Sequence, residues 1–526
     1  MLLTVVFQFS EVKAQACQIG VEQSTCSPQQ FYSDNRETLK VLTNEILYKG
    51  ISNADKARKK RKITSAFPFL RATAKMHFYI FKYNQFLNQQ LMEFSTHPDD
   101  NMPLFSIISA DNHNQNFSWM VSKKNAQKKS MSAVYSRGDF DEVTVDHWSH
   151  DIYRLAASSV LMAREAGYNA SEVNQFTNKI IKSFFKTIQM IAKNENSTGG
   201  YNKNFVNKLT VTDKTVTGLL KDLIKKISKL SPNTALKKWV EVSNGAVSFR
   251  DDSQKPELDQ SIVRVNNTSP IYKEIERAII DYVHRQFGKQ KFRESHFQII
   301  DVALRLGAGI GSAGKQRIYI LVKGYKKRMV ILDVKAQGFP ANIKLVDKKA
   351  VDVYLAKYSD PTTGKINHAL RVLEGQEGMS KGMNEHSGWI HLPSTAREHN
   401  DSLEPLSYFT VNEVSPYKKG LSSKDINVSS KKNRKDQLRL MLELADDLGR
   451  ITALGQVRSY NQLVTKTKLF KNSELFPSSA PLASQIYNTL KGRKGEFIKS
   501  TLSLAVYVAD LMEVQFKDLD SDIPIQ

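Results

Sequence analysis

Cysteine is nearly absent: the 526 residues hold two, Cys17 and Cys26, both close to the N-terminus. That excludes a core stapled by several disulfides and leaves room for one short-loop bridge, which would form in an oxidising compartment. No apolar run reaches the ~18–20 residues that a transmembrane helix needs. There is no internal repeat, so a solenoid is excluded, and no low-complexity tract. Acidic residues are also scarce: 53 Asp and Glu stand against 76 Lys and Arg, a net charge of +23. The surplus favours polyanionic partners such as nucleotides, nucleic acid or anionic lipid, and composition does not choose among them. A solvated lysine surface accounts for it equally well.

What is present is the composition of a globular protein, 40% hydrophobic and 25% charged. The length suits one large domain or two to three ordinary ones. The opening "MLLTVVFQF", with Ala14-Gln15-Ala16 just before Cys17, reads as a secretory signal peptide over residues 1–16, although no basic segment precedes it. It predicts a periplasmic or secreted chain; the other reading is a plain N-terminal strand in a cytoplasmic one. Residues 17–60 form an extension with one helix-like segment, "RETLKVLTNEILYKG". The run "KARKKRK" at 56–62 reads as a nucleic-acid patch or as a solvated helix face.

Residues 61–230 begin with "AFPFLRATAKMHFYIFKYNQFL", aromatic enough to be buried. Helical spacing follows in "IYRLAASSVLMAREAGYN", "SEVNQFTNKIIKSFFKTIQMIAKNE" and "TVTGLLKDLIKKISKL". Residues 231–268 are looser and polar, a candidate linker or insertion. The remainder, 269–526, carries a third block of interest.

In that block Gly309-Ile-Gly311-Ser312-Ala-Gly314 fits G-x-G-x-x-G, a weak pattern alone. A dinucleotide fold would continue into a helix. Here "RIYILVKG", "YKKR" and "MVILDVKA" predict a β-hairpin instead. Glycines before a hairpin, with Lys335 on its second strand, are the arrangement of phosphate-covering loops in protein-kinase-like folds. Glycine lets backbone N–H groups approach phosphate oxygens with no Cβ in the way. A hairpin with a glycine-rich lead-in and an open-face lysine is the plain alternative.

Two earlier stretches complete the pattern. "SADNHNQNF" puts Asn116 five residues after Asp111, and Asp139-Phe140-Asp141 follows. That is the spacing of a kinase-like catalytic loop and its metal-binding turn. By that likeness Asp111 accepts the proton of an acceptor hydroxyl, while Asn116, Asp139 and Asp141 hold Mg²⁺ through oxygen ligands. His113 falls where aminoglycoside-phosphotransferase-type kinases have the histidine of a D-x-H motif, bracing the loop. Asp151 resembles their helix-start aspartate, and Arg154 is placed to pair with an acidic loop residue. Asx-rich turns and helix caps are the plain readings of the same residues. The order is unusual, because the catalytic loop precedes the glycine loop; a circular permutation reconciles the two.

From about residue 57 to 460 the chain resembles the bacterial family catalogued as domain of unknown function 2252. The likeness rests on "PFLRATAKMHFY", "ADNHNQNF", "GDFDEVTVDHWSHDIYRLAAS", "DVALRLGAGIGSAG", "VKA", "RVLEGQ" and "LGRITALGQVRS". It departs at Ala72 and Ala110, where the family has glycine, at Gly138 in place of Asn, and at Ala336 in place of Glu. The resemblance implies an α+β, kinase-like, circularly permuted fold with extra helices. It also implies an ATP- and Mg²⁺-dependent phosphotransferase of unknown acceptor. Gly309, Gly311, Ser312, Gly314 and Lys335 would bind nucleotide, with Glu374 of "RVLEGQEG" as the candidate carboxylate partner of Lys335. A nucleotide-binding pseudokinase or scaffold is the alternative reading, as is an AMP transferase; a basic nucleic-acid binder is the outside one.

Overall fold

The computed structural model describes residues 27–521 apart from 98–101, 122–132, 232, 256–257, 288–297, 309–314, 325–327, 341, 382–385, 396–405, 416, 430–432 and 467–479. Residues 1–16, Cys17, Cys26 and the glycines of the G-x-G-x-x-G stretch therefore lie outside the described residues. The architecture is mixed α+β. Among the described residues a helical body packs against one six-stranded antiparallel sheet, with three small two-stranded sheets.

Alternation builds the sheet. Its strands, in chain order, include Ser261–Arg264 (β1), Gln298–Leu306 (β2), Arg317–Lys323 (β3), Met329–Ala336 (β4), Gly388–His391 (β5) and Tyr408–Glu413 (β6). Their spatial order is β5-β6-β4-β3-β2-β1, every pair antiparallel. The hairpin read from the sequence is β3–β4, with Lys323 opposite Met329 and Arg317 opposite Lys335. Side chains alternate between faces. Ile318, Ile320, Val322, Val330, Leu332, Val334, Phe409 and Val411 are buried together with Ile275, Ile279, Tyr282 and Val283 of the Pro270–Phe287 helix. The other parity carries Arg317, Tyr319, Asp333, Lys335, Thr410 and Asn412, which line a cavity on the opposite face.

The helical body holds the largest apolar cluster. Its principal helices are Ser149–Glu165, Ala170–Thr198, Arg434–Lys466 and Lys494–Ser521. Asn169 caps the second with a capping box shared with Glu172. Gly449 leaves no room for a Cβ against the Ile180 carbonyl, so helices 170–198 and 434–466 run in close contact. The aromatic stretch forms three short, mostly buried helices, Ala66–Ala72, Ala74–Tyr83 and Gln85–Ser95. No helix among the described residues is long and apolar enough to cross a membrane.

Two stretches are more ordered than their composition suggests. Residues 231–268 contain the Asn233–Trp239 helix, a hairpin of Val240–Ser243 with Ala246–Phe249, and β1 at the sheet edge. The stretch is part of the sheet assembly. The basic run 56–62 falls in the Asn53–Lys62 helix, and half of it turns inward. Arg58 and Lys59 are buried, Lys62 Nζ donates to the Gly307 carbonyl at 2.6 Å, and Arg61 Nε donates to Asp259 at 2.9 Å. Of these cations Lys62 holds the end of β2, at Gly307.

Candidate functional site

The short strand Phe105–Ile108 pairs with Thr144–His147 and delivers the Ser109–Asp111 loop to the start of the Ser149–Glu165 helix. Asp151, in the first turn of that helix and 1% exposed, clamps the loop. Its carboxylate accepts from Ser109 N and Oγ at 3.1 Å each, from Ala110 N at 3.2 Å and from Arg137 Nη1 at 2.6 Å. Ala110 is held at φ +58°, a left-handed conformation that costs an L-residue roughly 1–2 kcal/mol. That is the physical reason glycine suits this position.

Asp111 then points into a set of fixed partners. Arg154 Nε and Nη2 donate to its Oδ1 at 2.9 and 2.6 Å. Asn116 Nδ2 donates to its carbonyl at 2.8 Å and reaches Oδ2 at 3.4 Å. Asn114 pins the loop to the helix through Ser158 and Ser159. His113 is 2% exposed, and its Nδ1 accepts from Gln115 N at 3.3 Å. Its Nε2 therefore faces Asp111 Oδ2, 3.7 Å away. Burial, then the cations of Arg71 and Arg154, hold this imidazole well below its ordinary range. It is neutral and braces the loop.

The second acidic stretch is tied to the first by one backbone bond, Gly138 N to Asn116 O at 2.6 Å. Asp139 forms no hydrogen bond or ion pair among the described residues. Asp141 is ion-paired with Lys335, accepts from Gln337 Nε2 at 3.2 Å, and lies 3.9 Å from Lys315. Burial pushes its carboxyl up, but Lys335 and Lys315 outweigh this and hold it far below the usual carboxylate range. Glu142 pairs with Lys315 at 3.5 Å. Arg371, fully buried, donates to the carbonyls of Asp141 and Gly338 at 2.8 Å each, and to that of Val143. This guanidinium joins the "RVLEGQ" helix, His368–Met379, to the acidic turn and to the end of β4. A Cβ on Gly375 would meet Val143 at 2.7 Å, so that helix approaches the turn closely.

A cavity of about 500 Å³ opens between these parts. Asn116, Asp139 and Asp141 line it from one side, with Lys335, Arg317 and Thr410 from the sheet. Residues about 200 positions apart in the chain thus meet at one void. Asp111 and His113 sit beside it and do not line it. Glu374 is elsewhere: Lys357 pairs with it and Tyr358 Oη donates to it at 3.1 Å. The carboxylate facing Lys335 is Asp141, not Glu374. Gly309, Gly311, Ser312 and Gly314 fall outside the described residues; β3, which follows them, contributes Arg317 and Tyr319 to the cavity wall.

Several contributors carried weaker signals. Lys315 directly follows the glycine stretch and reaches both Asp141 and Glu142. Arg317 pairs with Asp333, and both share a face with Lys335, as period-two counting from Lys335 would indicate. Lys418 Nζ donates to the Gly138 carbonyl at 2.8 Å from a loop with no motif.

For a hard cation the donor set fits in part. Asn116 offers an amide oxygen and Asp139 an unpaired carboxylate, both oxygen ligands of the kind Mg²⁺ takes alongside phosphate and water. Asp141 joins them only when Lys335 releases it. Among the described residues no three His, Cys, Asp or Glu converge as a self-sufficient metal cage. The surrounding cations Lys315, Lys335, Arg317 and Lys418 complement a phosphate chain.

Residues 52–522 match the family described as "Uncharacterized protein conserved in bacteria (DUF2252)". No curated protein and no solved structure matches the chain.

Proposed function

The chain belongs to the DUF2252 family over nearly its whole length, and we propose that it is an ATP- and Mg²⁺-dependent phosphotransferase with a permuted kinase-like fold. One observation carries the reading: a single cavity lined by Asn116, Asp139, Asp141 and Lys335, with Asp111 at its margin. Lys335 and Lys315 would take the phosphate chain, and the backbone of the glycine stretch between β2 and β3 would cover it. Asn116 and Asp139 would hold the metal, whose contribution is to neutralise charge on the phosphates. Asp111, oriented by Arg154 and Asn116, would receive the acceptor's proton. In the balanced step the acceptor oxygen bonds to the terminal phosphorus, the bond to the bridging oxygen breaks, ADP leaves, and the proton passes to the Asp111 carboxylate.

The test uses Asp139→Asn and Asp111→Asn with γ-labelled ATP and Mg²⁺. Autophosphorylation or slow ATP hydrolysis reads turnover, and calorimetry reads affinity. Asp139→Asn weakens Mg²⁺-dependent binding. Asp111→Asn leaves affinity nearly unchanged and lowers turnover by ~10²–10⁴-fold. Equal affinity and equal turnover in the wild type and both variants would end the reading. Nucleotide binding without transfer is the second reading, favoured by the close grip of Arg154 on Asp111. Retained affinity with no labelled product would select it. Export to the periplasm or medium is proposed on residues 1–16 alone, and the mass of the mature chain decides it: a chain that begins at Met1 refutes cleavage.

A further inference from the structure

One cation beside the site, among the described residues, forms no hydrogen bond or ion pair. Arg71 sits in the last turn of the Ala66–Ala72 helix. It forms no hydrogen bond or ion pair among the described residues, and its Nε is buried and unsatisfied. Its guanidinium lies over the Phe67 ring at 5.9 Å, and Phe67 meets the His113 ring edge-on at 6.4 Å. The neighbouring Leu70 carbonyl accepts from Arg154 Nη2 at 2.9 Å, the same group that grips Asp111. Backbone and ring contacts therefore fix Arg71 against the Asp111 loop. The charges that favour its protonated form are Asp111 and Asp139, although burial is the larger influence and lowers its pKa. A desolvated guanidinium left unpaired is costly, and its planar fork of donors matches a phosphoryl group.

Resting on the nucleotide-site reading, we propose that Arg71 binds the oxyanion of the phosphoryl group being transferred. The location gives the reason. Asp111 is the proton acceptor and Asp139 the metal ligand of that reading, so the terminal phosphoryl must lie between them. Arg71 is a cation, unpaired among the described residues, that the charges of both reach. It would act as a catalytic residue by contact with the reacting group, and would add nothing to a diphosphate that lacks that group.

The experiment compares ADP with β,γ-imido-ATP, both with Mg²⁺, by calorimetry on the full chain. Arg71→Gln is expected to weaken the imido analogue at least tenfold and to leave ADP within about twofold. Arg71→Lys, which keeps the charge and loses the fork, should fall between. Nucleotide-free melting of both variants checks the fold, and Arg71→Lys carries the comparison where Arg71→Gln fails to fold. Equal losses for both nucleotides, or no loss for either, would overturn the assignment of Arg71 while the nucleotide site stands. Wild-type protein that binds neither nucleotide would overturn the site reading and Arg71 with it.

Discussion

The Lys335–Asp141 pair allows a quantitative test, because it belongs to the fold and to the candidate site at once. Their side chains are 14% and 12% exposed, so this is a largely desolvated pair. Removing one member of such a pair leaves an uncompensated charge and typically costs 3–5 kcal/mol. Lys335→Met leaves Asp141 with Gln337 at 3.2 Å and Lys315 at 3.9 Å, so the lower end, ~3 kcal/mol, is expected. Asp141→Asn should cost less, since Lys335 keeps a route to the cavity water. The double variant, Lys335→Met with Asp141→Asn, removes both charges and should be less destabilised than the sum of the singles by about 2 kcal/mol. Urea unfolding at pH 7 with matched slopes measures this cycle. The sign with pH is fixed. The folded Asp141 pKa is depressed, so its contribution is present above the unfolded value of about 3.9 and disappears as pH falls below it. The same pair predicts a functional split. Asp141→Asn frees Lys335 and should strengthen binding of metal-free ATP, while Lys335→Met weakens ATP with or without Mg²⁺. Additive singles, with a coupling below about 0.5 kcal/mol, would refute the pair as a contact that adds to the joining of sheet and acidic turn.

Lys59 is 3% exposed, and burial followed by Lys315 lowers its pKa from 10.5 to about 8. Lys59→Met should therefore raise stability at pH 7, by up to roughly 3 kcal/mol on the ~1.4 kcal/mol per pKa unit scale, and thermal melting that shows a loss would contradict it. Four buried histidines, His77, His113, His150 and His368, and the partly buried His147 have pKa values lowered by desolvation, His147 to about 4. Each histidine's contribution should be full above the unfolded value of about 6.5 and lost as pH drops below it, while Asp146, Glu195 and Asp447, each raised to about 7 by burial, oppose it. Asp447→Asn removes one opposing group and should steepen the loss of stability between pH 7 and 5; urea midpoints with an unchanged pH dependence would refute this.

The parts of the fold and site legible in the sequence are those whose physics is local. The β3–β4 hairpin declares itself by period two, the long helices by period 3.6, and the Ser149–Glu165 helix stops near Gly167 at φ +84°. The Asp111–Asn116 and Asp139–Asp141 spacings survive because each lies on one short turn. Residues 231–268 looked loose because their first hairpin is thinly covered, with Val242 70% exposed. The signal was nonetheless present: Asn244 and Gly245 both have positive φ, as the Asn-Gly pair of a two-residue hairpin turn does. Asp141 as the partner of Lys335 was beyond local reading, because 194 residues separate them and the pairing depends on a tertiary clasp.

That clasp explains how a site can be split across the chain and still be accurate. Arg371 offers its guanidinium to three carbonyls, two from the acidic turn and one from the end of β4. Carbonyls are acceptors on any sequence, so no motif at Asp141, Val143 or Gly338 could announce the contact. The signal lay in the helix, where a fully buried arginine is tolerated only if its donors are satisfied. Burial of Arg371 therefore dictates that the turn and the strand end meet, and Asp141 comes within reach of Lys335 as a consequence. The chemistry-bearing residues are thus arranged by a residue that never enters the cavity.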